Sequence, residues 1–250
     1  MMKRTAIVTG ASQGIGAAIA RELAALDFHV ILLARREAEL KKVCETIRNE
    51  GGACTYFTCD VTQTPEIEAF FEELDQQSLS PPAVLVNNAG WGGPFQPIDA
   101  VPEADWDAIF ATNVKSAYLL CRRVLPLMRE QGFGRVINIA SVYGSRGGAG
   151  SVAYTAAKHA LLGLTRAVSV EWGTYNITCN AISPGFIDTA MAAEAGADFN
   201  NRVAGAIPVR RYGRVEEVTK MVAFLVGTNS AYLNGADLVV DGGLSAGFSF

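Results

Sequence analysis

Histidine is scarce in this sequence, since only His29 and His159 occur among 250 residues. Two histidines give almost no material for a metal cluster or for a histidine-based catalytic triad. The five cysteines are odd in number and include no Cys-x-x-Cys pair. This pattern predicts reduced, buried thiols in a cytoplasmic protein and argues against a disulfide framework.

Charged residues and long apolar segments are also sparse. Asp, Glu, Lys and Arg make up 18% of the chain and the net charge is −4, which gives no electrostatic reason to bind nucleic acid or an anionic membrane. The first apolar run, Thr5–Thr9, is interrupted by Gly10 and is too short for the core of a signal peptide. No later segment offers an uninterrupted membrane span. We therefore expect no nucleic-acid partner and no membrane association.

Half of the residues are apolar, enough for the core of one α/β domain over residues 1–250. Short apolar runs alternate with segments of helical period, which predicts right-handed crossovers and a doubly wound parallel sheet. The predicted strands are Thr5–Thr9, Val30–Ala34, Thr55–Cys59, Val84–Val86, Val136–Ala140, Ile177–Ile182 and Leu238–Val240. The predicted helices are Ile15–Leu26, Glu37–Glu50, Pro65–Gln76, Glu103–Arg129, Val152–Trp172 and Glu216–Val226.

A glycine-rich turn, Thr9-Gly-Ala-Ser-Gln-Gly-Ile-Gly16, follows the first predicted strand and opens the first helix. Glycines at such a turn let the backbone bend tightly and let the pyrophosphate of a dinucleotide reach the N–H groups of the helix terminus. Many glycine-rich turns bind no ligand and only allow the chain to bend tightly. The position of this one in the first βα unit favours a dinucleotide site.

A second motif, Asn87-Asn-Ala-Gly90, ends the fourth predicted strand. Ligands of doubly wound sheets bind at the carboxyl ends of strands beside the switch point, so small and amide residues there can line a cofactor. A plain turn after a strand would contain Asn and Gly equally well. This motif by itself does not distinguish the two interpretations.

The third motif pairs Tyr154 with Lys158, after Ser141 at the end of a predicted strand. Residues four apart on a helix share a face, so the phenol and the ammonium can converge. Lowering a phenol pKa from about 10 to about 7 takes roughly 4 kcal/mol, and nearby positive charge has the right sign. Ser141 could donate a hydrogen bond to a substrate oxygen. Without further context, an ordinary surface helix explains this pair as well.

Together these motifs resemble the short-chain dehydrogenase/reductase family, in the branch whose chains have the length of this one. The resemblance covers the whole chain and implies a Rossmann-type sheet of about seven strands and a homotetramer assembled through the Tyr154 helix. The matching segments are Thr9–Gly16, Asp60-Val61, Asn87–Gly90, Ala111–Lys115 with Asn113, Ser141, Tyr154–Lys158, Ser183–Thr189 and Val240–Gly243.

The resemblance implies a catalytic tetrad of Asn113, Ser141, Tyr154 and Lys158. Tyr154 would be the acid–base for a hydride transfer between a nicotinamide and a ketone or secondary alcohol. Lys158 would lower the pKa of Tyr154 and hold the nicotinamide ribose. Ser141 would orient the carbonyl, and Asn113 would anchor a water in a proton relay.

The resemblance also implies where the cofactor lies. Asp60 and Val61 would contact the adenine, and Asn87 would lie near the adenosine ribose. Ile187 and Thr189 would contact the nicotinamide carboxamide. The complete predicted cofactor site is Gly10, Ser12, Gln13, Gly14, Ile15, Gly16, Arg35, Arg36, Asp60, Val61, Asn87, Ala89, Gly90, Tyr154, Lys158, Pro184, Gly185, Ile187 and Thr189.

The end of the second strand favours NADP(H), with NAD(H) still possible. NAD enzymes of this architecture place an acidic residue there for the ribose hydroxyls, whereas this chain has Ala34 followed by Arg35 and Arg36. Arginines at a helix N-terminus oppose its dipole, and a 2′-phosphate would be a reason for them. The alternative interpretation is that both arginines are ordinary solvated surface residues. Against an NADP(H) preference, Gln13 occupies a position where many NADP-linked relatives carry a basic residue.

We expect the substrate to be a small or medium, largely apolar ketone that is not attached to a carrier protein. Carrier proteins are acidic and need basic surface at the site entrance, whereas Glu171–Asn176 offers an acid and no base. We expect Ala190–Asn201 to form a mobile lid, as part of a lid region around residues 190–205. The predicted pocket residues are Trp91, Phe95, Val142, Tyr143, Phe186 and Met191. A carrier-bound substrate remains the alternative, because five arginines could provide basic surface at the site entrance: Arg129, Arg146, Arg202, Arg210 and Arg211.

Three function classes compete. A carbonyl reductase or secondary-alcohol dehydrogenase leads, with 3-oxoacyl-carrier-protein reductase as the nearest named activity. Nucleotide-sugar epimerases and dehydratases also use a Tyr–Lys pair, but they resemble longer chains with different glycine spacing. A catalytically dead, cofactor-binding scaffold would be expected to lack Tyr154 or Lys158, and both are present.

Overall fold

The computed structural model describes residues 3–77, 79–189 and 196–247. Seven strands in these ranges form one parallel sheet. They are β1 (Thr5–Thr9), β2 (His29–Ala34), β3 (Ala53–Thr58), β4 (Pro82–Asn87), β5 (Gly134–Ile139), β6 (Ile177–Pro184) and β7 (Asp237–Val240). The order β3-β2-β1-β4-β5-β6-β7 reverses its direction of winding between β1 and β4. The doubly wound Rossmann-type fold is confirmed.

Helices cover both faces of this sheet, because successive strand side chains point to opposite sides. In β1, Ala6 and Val8 belong to one buried cluster and Ile7 to another. The first cluster lies under the helices Gly14–Ala25 and Val215–Val226, and the second lies under the helices Thr64–Asp75 and Ser116–Gln131. The helices in the described ranges are α1 (Gly14–Ala25), α2 (Glu37–Asn49), α3 (Thr64–Asp75), α4 (Glu103–Phe110), α5 (Ser116–Gln131), α6 (Val152–Trp172), α7 (Ala197–Ala206) and α8 (Val215–Val226).

The predicted helical segment Glu103–Arg129 is helical throughout, but a π-helical turn, Ala111–Lys115, divides it into α4 and α5. Polar side chains compete with the backbone there. Thr112 Oγ1 and Asn113 Nδ2 each donate to the carbonyl four residues earlier, at 2.8 and 2.9 Å. Single π turns inside helices occur frequently at functional sites, and this one contains Asn113.

Sequence periodicity did not reveal α7, because this helix buries none of its residues completely and so has no apolar stripe. Among the described residues, no helix has the length and apolar character needed to cross a membrane. Within the same ranges, no three acidic, histidine or cysteine side chains come together as metal ligands.

Candidate active site

The glycine-rich turn joins β1 to α1 at the switch point of the sheet. Gly10 and Gly14 have φ angles of +62° and +54°, which favour glycine over other residues. A Cβ on Gly16 would lie 2.4 Å from the carbonyl oxygen of Gly10. The helix therefore begins directly against the turn, and only glycine permits this approach.

In the described structure, no side chain of the first turn or of the N-cap satisfies the N-terminus of α1. No acidic residue lies in its first turn, and the Gln13 side chain at the N-cap does not bond to the helix backbone. The N–H groups of Gly14, Ile15 and Gly16 precede the first intrahelical bond, which Ala17 N makes to Gln13 O at 3.2 Å. Such a terminus fits the pyrophosphate of a dinucleotide.

Thr9 fastens the Asn87–Gly90 motif to this turn. Its hydroxyl oxygen accepts from the backbone N–H groups of Asn88 and Ala89 at 3.0 and 2.9 Å. The Asn88 amide also donates to Thr9 O at 2.9 Å. Asn88 is absent from the predicted cofactor site, although its place beside Asn87 in the motif could have suggested a role. Asn87 itself is buried and donates to Asn138, so a cofactor there would meet its main chain.

The predicted 2′-phosphate site lies beside the same turn. Arg36 Nη2 donates to Gln13 Oε1 at 2.5 Å and to Ser12 Oγ at 3.4 Å. Arg35 and Arg36 are both exposed at the carboxyl end of β2. An exposed guanidinium held over the hydroxyl of the glycine turn has the donor geometry that a phosphate monoester needs.

Asp60 and Val61 follow β3 at the same edge of the sheet. Asp60 Oδ1 accepts from the backbone N–H and the hydroxyl of Thr62, at 3.0 and 2.8 Å. Val61 is buried. Cys59 N donates to Ala34 O at 3.0 Å, which brings this turn next to the end of β2. The predicted adenine contacts therefore lie on the side of the predicted phosphate site.

Tyr154 and Lys158 lie on α6 and meet the end of β5. Lys158 is 3% exposed and its Nζ donates to Ile139 O at 2.9 Å. The same Nζ is 5.4 Å from the centroid of the Tyr154 ring. Ser141 follows β5, and its hydroxyl forms a hydrogen bond with Tyr154 that lowers the pKa of the phenol. Three members of the predicted tetrad therefore come together.

Burial opposes the charged forms of both α6 groups. It raises the pKa of Tyr154 to about 12, an effect that Ser141 reduces and Tyr143 increases. It lowers the pKa of Lys158 to about 7. The lowered phenol pKa expected for an acid–base is not present in the cofactor-free protein, because desolvation outweighs the hydrogen bond.

Asn113 completes the group from the π-helical turn. Its Nδ2 donates to Trp91 O and Ile109 O at 2.8 and 2.9 Å, while its buried Oδ1 has no hydrogen-bond partner in the described structure. A Cβ placed on Gly90 would lie 3.0 Å from that Oδ1 and 3.5 Å from Lys158 Nζ. An unpaired buried acceptor so near an ammonium fits a bridging water.

The segment after β6 contains the predicted nicotinamide contacts. Gly185 N donates to Val240 O at 2.9 Å, and Asp188 N donates to Gly213 O at 2.8 Å. Ile187 is buried. Thr189 reaches the glycine turn, because a Cβ on Gly14 would lie 3.7 Å from Thr189 Cγ2. Pro184 is the last residue of β6, and the segment lies where a nicotinamide could be held.

The predicted pocket residues occupy different environments. Trp91 and Phe95 are 41% and 69% exposed, whereas Val142 is buried. Tyr143 presents its ring perpendicular to Tyr154, with 6.1 Å between centroids. Phe186 packs against Tyr212 at 5.9 Å. Met191 lies outside the described residues, as does the first part of the predicted lid.

Tyr212 lies beside the predicted pocket residue Phe186 and was not identified from the sequence. Its hydroxyl donates to Asn200 Oδ1 on α7 at 2.9 Å, while its ring contacts Phe186. It therefore connects α7 to the segment after β6. No motif surrounds Tyr212, and only the tertiary contact identifies it.

Known proteins resemble this chain along nearly its whole length. The family model described as enoyl-(acyl carrier protein) reductase matches residues 10–245. A 3-oxoacyl-[acyl-carrier-protein] reductase of Pseudomonas aeruginosa is 40% identical over 241 residues, which cover 96% of this chain and 97% of the relative.

Solved structures agree with this similarity. An actinorhodin polyketide ketoreductase variant crystallised with NADPH has a TM-score of 0.93 and 34% identity, covering 98% of this chain and 99% of that one. A putative NAD(P)-dependent gluconate 5-dehydrogenase of Beutenbergia cavernae with bound NADP has a TM-score of 0.92 and 34% identity. That similarity covers 99% of this chain and 98% of the other.

Proposed function

This chain belongs to the short-chain dehydrogenase/reductase family, and from that premise we propose that it is an NADP(H)-dependent ketone reductase with Tyr154 as its acid–base. The observation that carries the proposal is the meeting of the phenol, the Lys158 ammonium and the Ser141 hydroxyl at the end of β5. This group lies at the same edge of the sheet as the glycine turn, where ligands of doubly wound sheets bind.

The proposed cofactor is NADP(H), which supplies or accepts the hydride when bound. The glycine turn would hold its pyrophosphate, Arg36 its 2′-phosphate, and the segment with Ile187 and Thr189 its nicotinamide. Two similar structures contain NADPH or NADP. The position of Arg36 over Ser12 supports the same choice.

Each tetrad residue has a defined task in ketone reduction. The Ser141 hydroxyl donates a hydrogen bond to the carbonyl oxygen and orients it. The Tyr154 O–H transfers its proton to that oxygen as negative charge develops there. The Lys158 ammonium stabilises the resulting phenolate. The phenolate then takes a proton from the Lys158 ammonium, and a water held by Asn113 Oδ1 returns a proton to Lys158, so that the tetrad is restored; alcohol oxidation uses the same steps in reverse.

An apolar, unattached ketone is the substrate that the charges around the site favour. Residues 91–114, which include part of the cleft at Tyr154, contain four acids and no Lys or Arg. An acidic carrier protein would be repelled there. Most arginines considered above already have partners. Arg129 lies over the rings of Trp172 and Tyr175, Arg146 donates to Ser245 O, Arg210 donates to Gly205 O, and Arg211 pairs with Glu217.

A carrier-bound 3-oxoacyl thioester is the second candidate substrate. The Pseudomonas aeruginosa relative that is 40% identical to this chain is named as a 3-oxoacyl-[acyl-carrier-protein] reductase, and this similarity supports the second candidate. Arg202, exposed on α7, is the arginine of the group best placed for such a partner. The alternative differs only in substrate, since the tetrad and its chemistry would be the same.

The deciding experiment follows NADPH oxidation by the purified protein with three substrates. They are an aryl or alkyl ketone, a free 3-oxoacyl thioester and the same acyl group on a carrier protein. We expect the unattached ketone to give the highest kcat/KM. A preference for the carrier-bound compound by orders of magnitude would establish the second candidate. No oxidation with any ketone would contradict the proposed reaction itself.

We further propose a lid around residues 190–205, a homotetramer and a cytoplasmic location. Within the described part of this region, the lid is supported by α7, which is mostly exposed and whose Asn200 accepts a hydrogen bond from Tyr212 beside Phe186. The tetramer is supported by exposed apolar side chains such as Val170 and Val239. The location is supported by five cysteines that are buried and unpaired.

A further inference from the structure

Three buried polar side chains, Asn87, Asn138 and Thr165, form a row of hydrogen bonds beneath the tetrad. Asn87 Nδ2 on β4 donates to Asn138 Oδ1 on β5 at 2.8 Å. Asn138 Nδ2 in turn donates to Thr165 Oγ1 on α6, also at 2.8 Å. The three residues are 5%, 0% and 1% exposed. Buried polar groups cost free energy that apolar residues would not, and the proposed chemistry uses none of these side chains.

The direction of each hydrogen bond in this row is determined. The Thr165 hydroxyl donates to Leu161 O within α6 at 2.9 Å, so towards Asn138 it can only accept. Asn138 must therefore present its Nδ2 to Thr165 and its Oδ1 to Asn87. A slide of α6 along the sheet would break this arrangement and leave the buried Asn138 amide with only the weak acceptor Cys179 Sγ, at 3.7 Å.

The elements joined by the row are those that carry the tetrad. Asn138 immediately precedes Ile139, whose carbonyl oxygen accepts from Lys158, and Ser141 follows at the end of the same strand. Thr165 lies two turns beyond Lys158 on α6 and so shares its helix face. The row therefore lies between the two elements whose relative position sets the distance from the ammonium to Ile139 O.

Apolar packing alone would specify this position poorly. Apolar contacts are non-directional, and α6 packs Leu161 and Leu162 against Ala140, which follows β5, and Ala181 on β6. A hydrogen bond between two fully buried groups is satisfied at one register only. A single buried polar pair can fix the register of packed helices in this way.

We propose that Asn138 and Thr165 are positioning residues, whose hydrogen bond sets the register of α6 on β5 and thereby places Lys158 and Tyr154 beside Ser141. This inference rests on the proposed reductase function. It assigns the pair no contact with substrate or cofactor. Its effect on the reaction passes through the geometry of Lys158 and Tyr154.

The test compares Thr165→Val, which removes the hydroxyl at nearly constant volume, with Thr165→Ser, which keeps it. The matched control is Thr219→Val on α8. Thr219 is also buried, at 2% exposure, and its hydroxyl donates within its own helix to Glu216 O. All variants are measured for kcat, KM, NADPH binding by fluorescence titration, thermal unfolding and the pH profile of alcohol oxidation.

We expect Thr165→Val to lower kcat by about tenfold or more, since small misplacements of reacting groups have effects of this size. NADPH affinity should fall by much less than kcat, because the glycine turn and Arg36 would still hold the rest of the cofactor and only the Lys158 contact to the nicotinamide ribose would weaken. The acidic limb of the oxidation profile should move to higher pH, because an ammonium farther from the phenol stabilises the phenolate less. Thr165→Ser should restore both kcat and the profile.

Loss of stability alone would not support the proposal, because Thr219→Val should also lose stability while keeping the wild-type pH profile. A Thr165→Val enzyme with wild-type kcat and pH profile would overturn it, whatever its melting temperature. If Thr165→Val does not accumulate, Thr165→Ala removes the same hydroxyl without introducing a methyl clash. Failure of both variants to fold would also overturn it, because the pair would then be a requirement of folding. A wild-type enzyme that reduces no ketone would contradict the proposed function instead.

Discussion

Two side chains of the proposed site, Tyr154 and Lys158, are buried although the proposed reaction needs their charged forms. Desolvation raises the pKa of Tyr154 to about 12 and lowers that of Lys158 to about 7. Each shift disfavours the charged form that the reaction requires. The two groups oppose this cost together, since an ammonium 5.4 Å from the ring stabilises a phenolate and is stabilised by it. The positive charge of an oxidised nicotinamide would also stabilise the phenolate.

Tyr154→Phe should abolish turnover and leave NADPH binding nearly unchanged. The phenol is the proton source for the reacting oxygen, whereas the ring fills the same space without it. Lys158→Ala should impair both, because the ammonium also has the expected task of holding the nicotinamide ribose. Steady-state kinetics and a fluorescence titration measure the two effects separately. Substantial activity in Tyr154→Phe would contradict the mechanism.

Burial of Lys158 should also make stability depend on pH. Below about pH 7 the folded and unfolded chains both carry the proton, so the full cost of burying the charge is present. Between about 7 and 10.5 the unfolded chain keeps a proton that the folded chain has lost, and the cost falls as pH rises. Lys158→Met should therefore raise the melting temperature of the cofactor-free protein more at about pH 6 than at about pH 9. An equal gain at both pH values would contradict this account.

Arg36→Asp should lower kcat/KM for NADPH and shift the ratio of efficiencies towards NADH, because it removes the guanidinium held over Ser12. Arg35→Asp should shift the ratio in the same direction. The loss for NADPH should be about tenfold or more, since a charge-assisted hydrogen bond contributes roughly 1.5–3 kcal/mol. Arg21→Ala, which breaks an exposed ion pair with Glu50, is the control. Unchanged ratios in both aspartate variants would place the phosphate site elsewhere.

At the scale of single elements, two helix glycines should respond in opposite ways to alanine. A Cβ on Gly16 would lie 2.4 Å from a backbone oxygen at the start of α1, so Gly16→Ala should destabilise the protein and weaken NADPH binding. Gly163, on the exposed face of α6, has no atom within 4 Å of such a Cβ. Gly163→Ala should stabilise by roughly 0.5–1 kcal/mol. Denaturant unfolding measures both, and a stabilised Gly16→Ala would refute the close approach.

The boundary between α4 and α5 is a detail that the local sequence does not predict. Glu103–Arg129 has helical periodicity throughout, and the chain is helical there, with a π-helical turn in the middle. In this turn the Asn113 amide donates both to Ile109 O in the preceding helix and to Trp91 O in a distant loop. The second contact spans the fold, and no periodicity contains it.

At the scale of the whole molecule, the exposed edge of the sheet bears on assembly. β7 is an edge strand, and Val239 on it is 45% exposed. If this edge is covered in a homotetramer, Val239→Asp should dissociate the assembly into smaller species, because it would bury an unpaired charge. Leu26→Asp, at a side chain of equal 45% exposure after α1, should leave the assembly intact. Analytical ultracentrifugation distinguishes the outcomes, and a monomeric wild-type protein would contradict the tetramer.

The amino-acid sequence by itself determined the class of fold and the identity of most proposed site residues. Alternating apolar runs and helical periods are local patterns, and they predicted β1 with its observed ends and the strands of the sheet to within a few residues. The glycine turn and the Tyr154–Lys158 pair are also local, since their spacing follows from a turn and from one helix. The family resemblance rests on such contiguous motifs.

Only the tertiary structure decided how these motifs meet. The contact of Thr9 with Asn88, the bond from Arg36 to Gln13, the unpaired Asn113 Oδ1 and the Asn138–Thr165 hydrogen bond each join separate elements. The same side chains would satisfy their hydrogen bonds in water in an unfolded chain. Their partners are chosen by the packing of the sheet and helices, which removes the water and leaves one compatible arrangement.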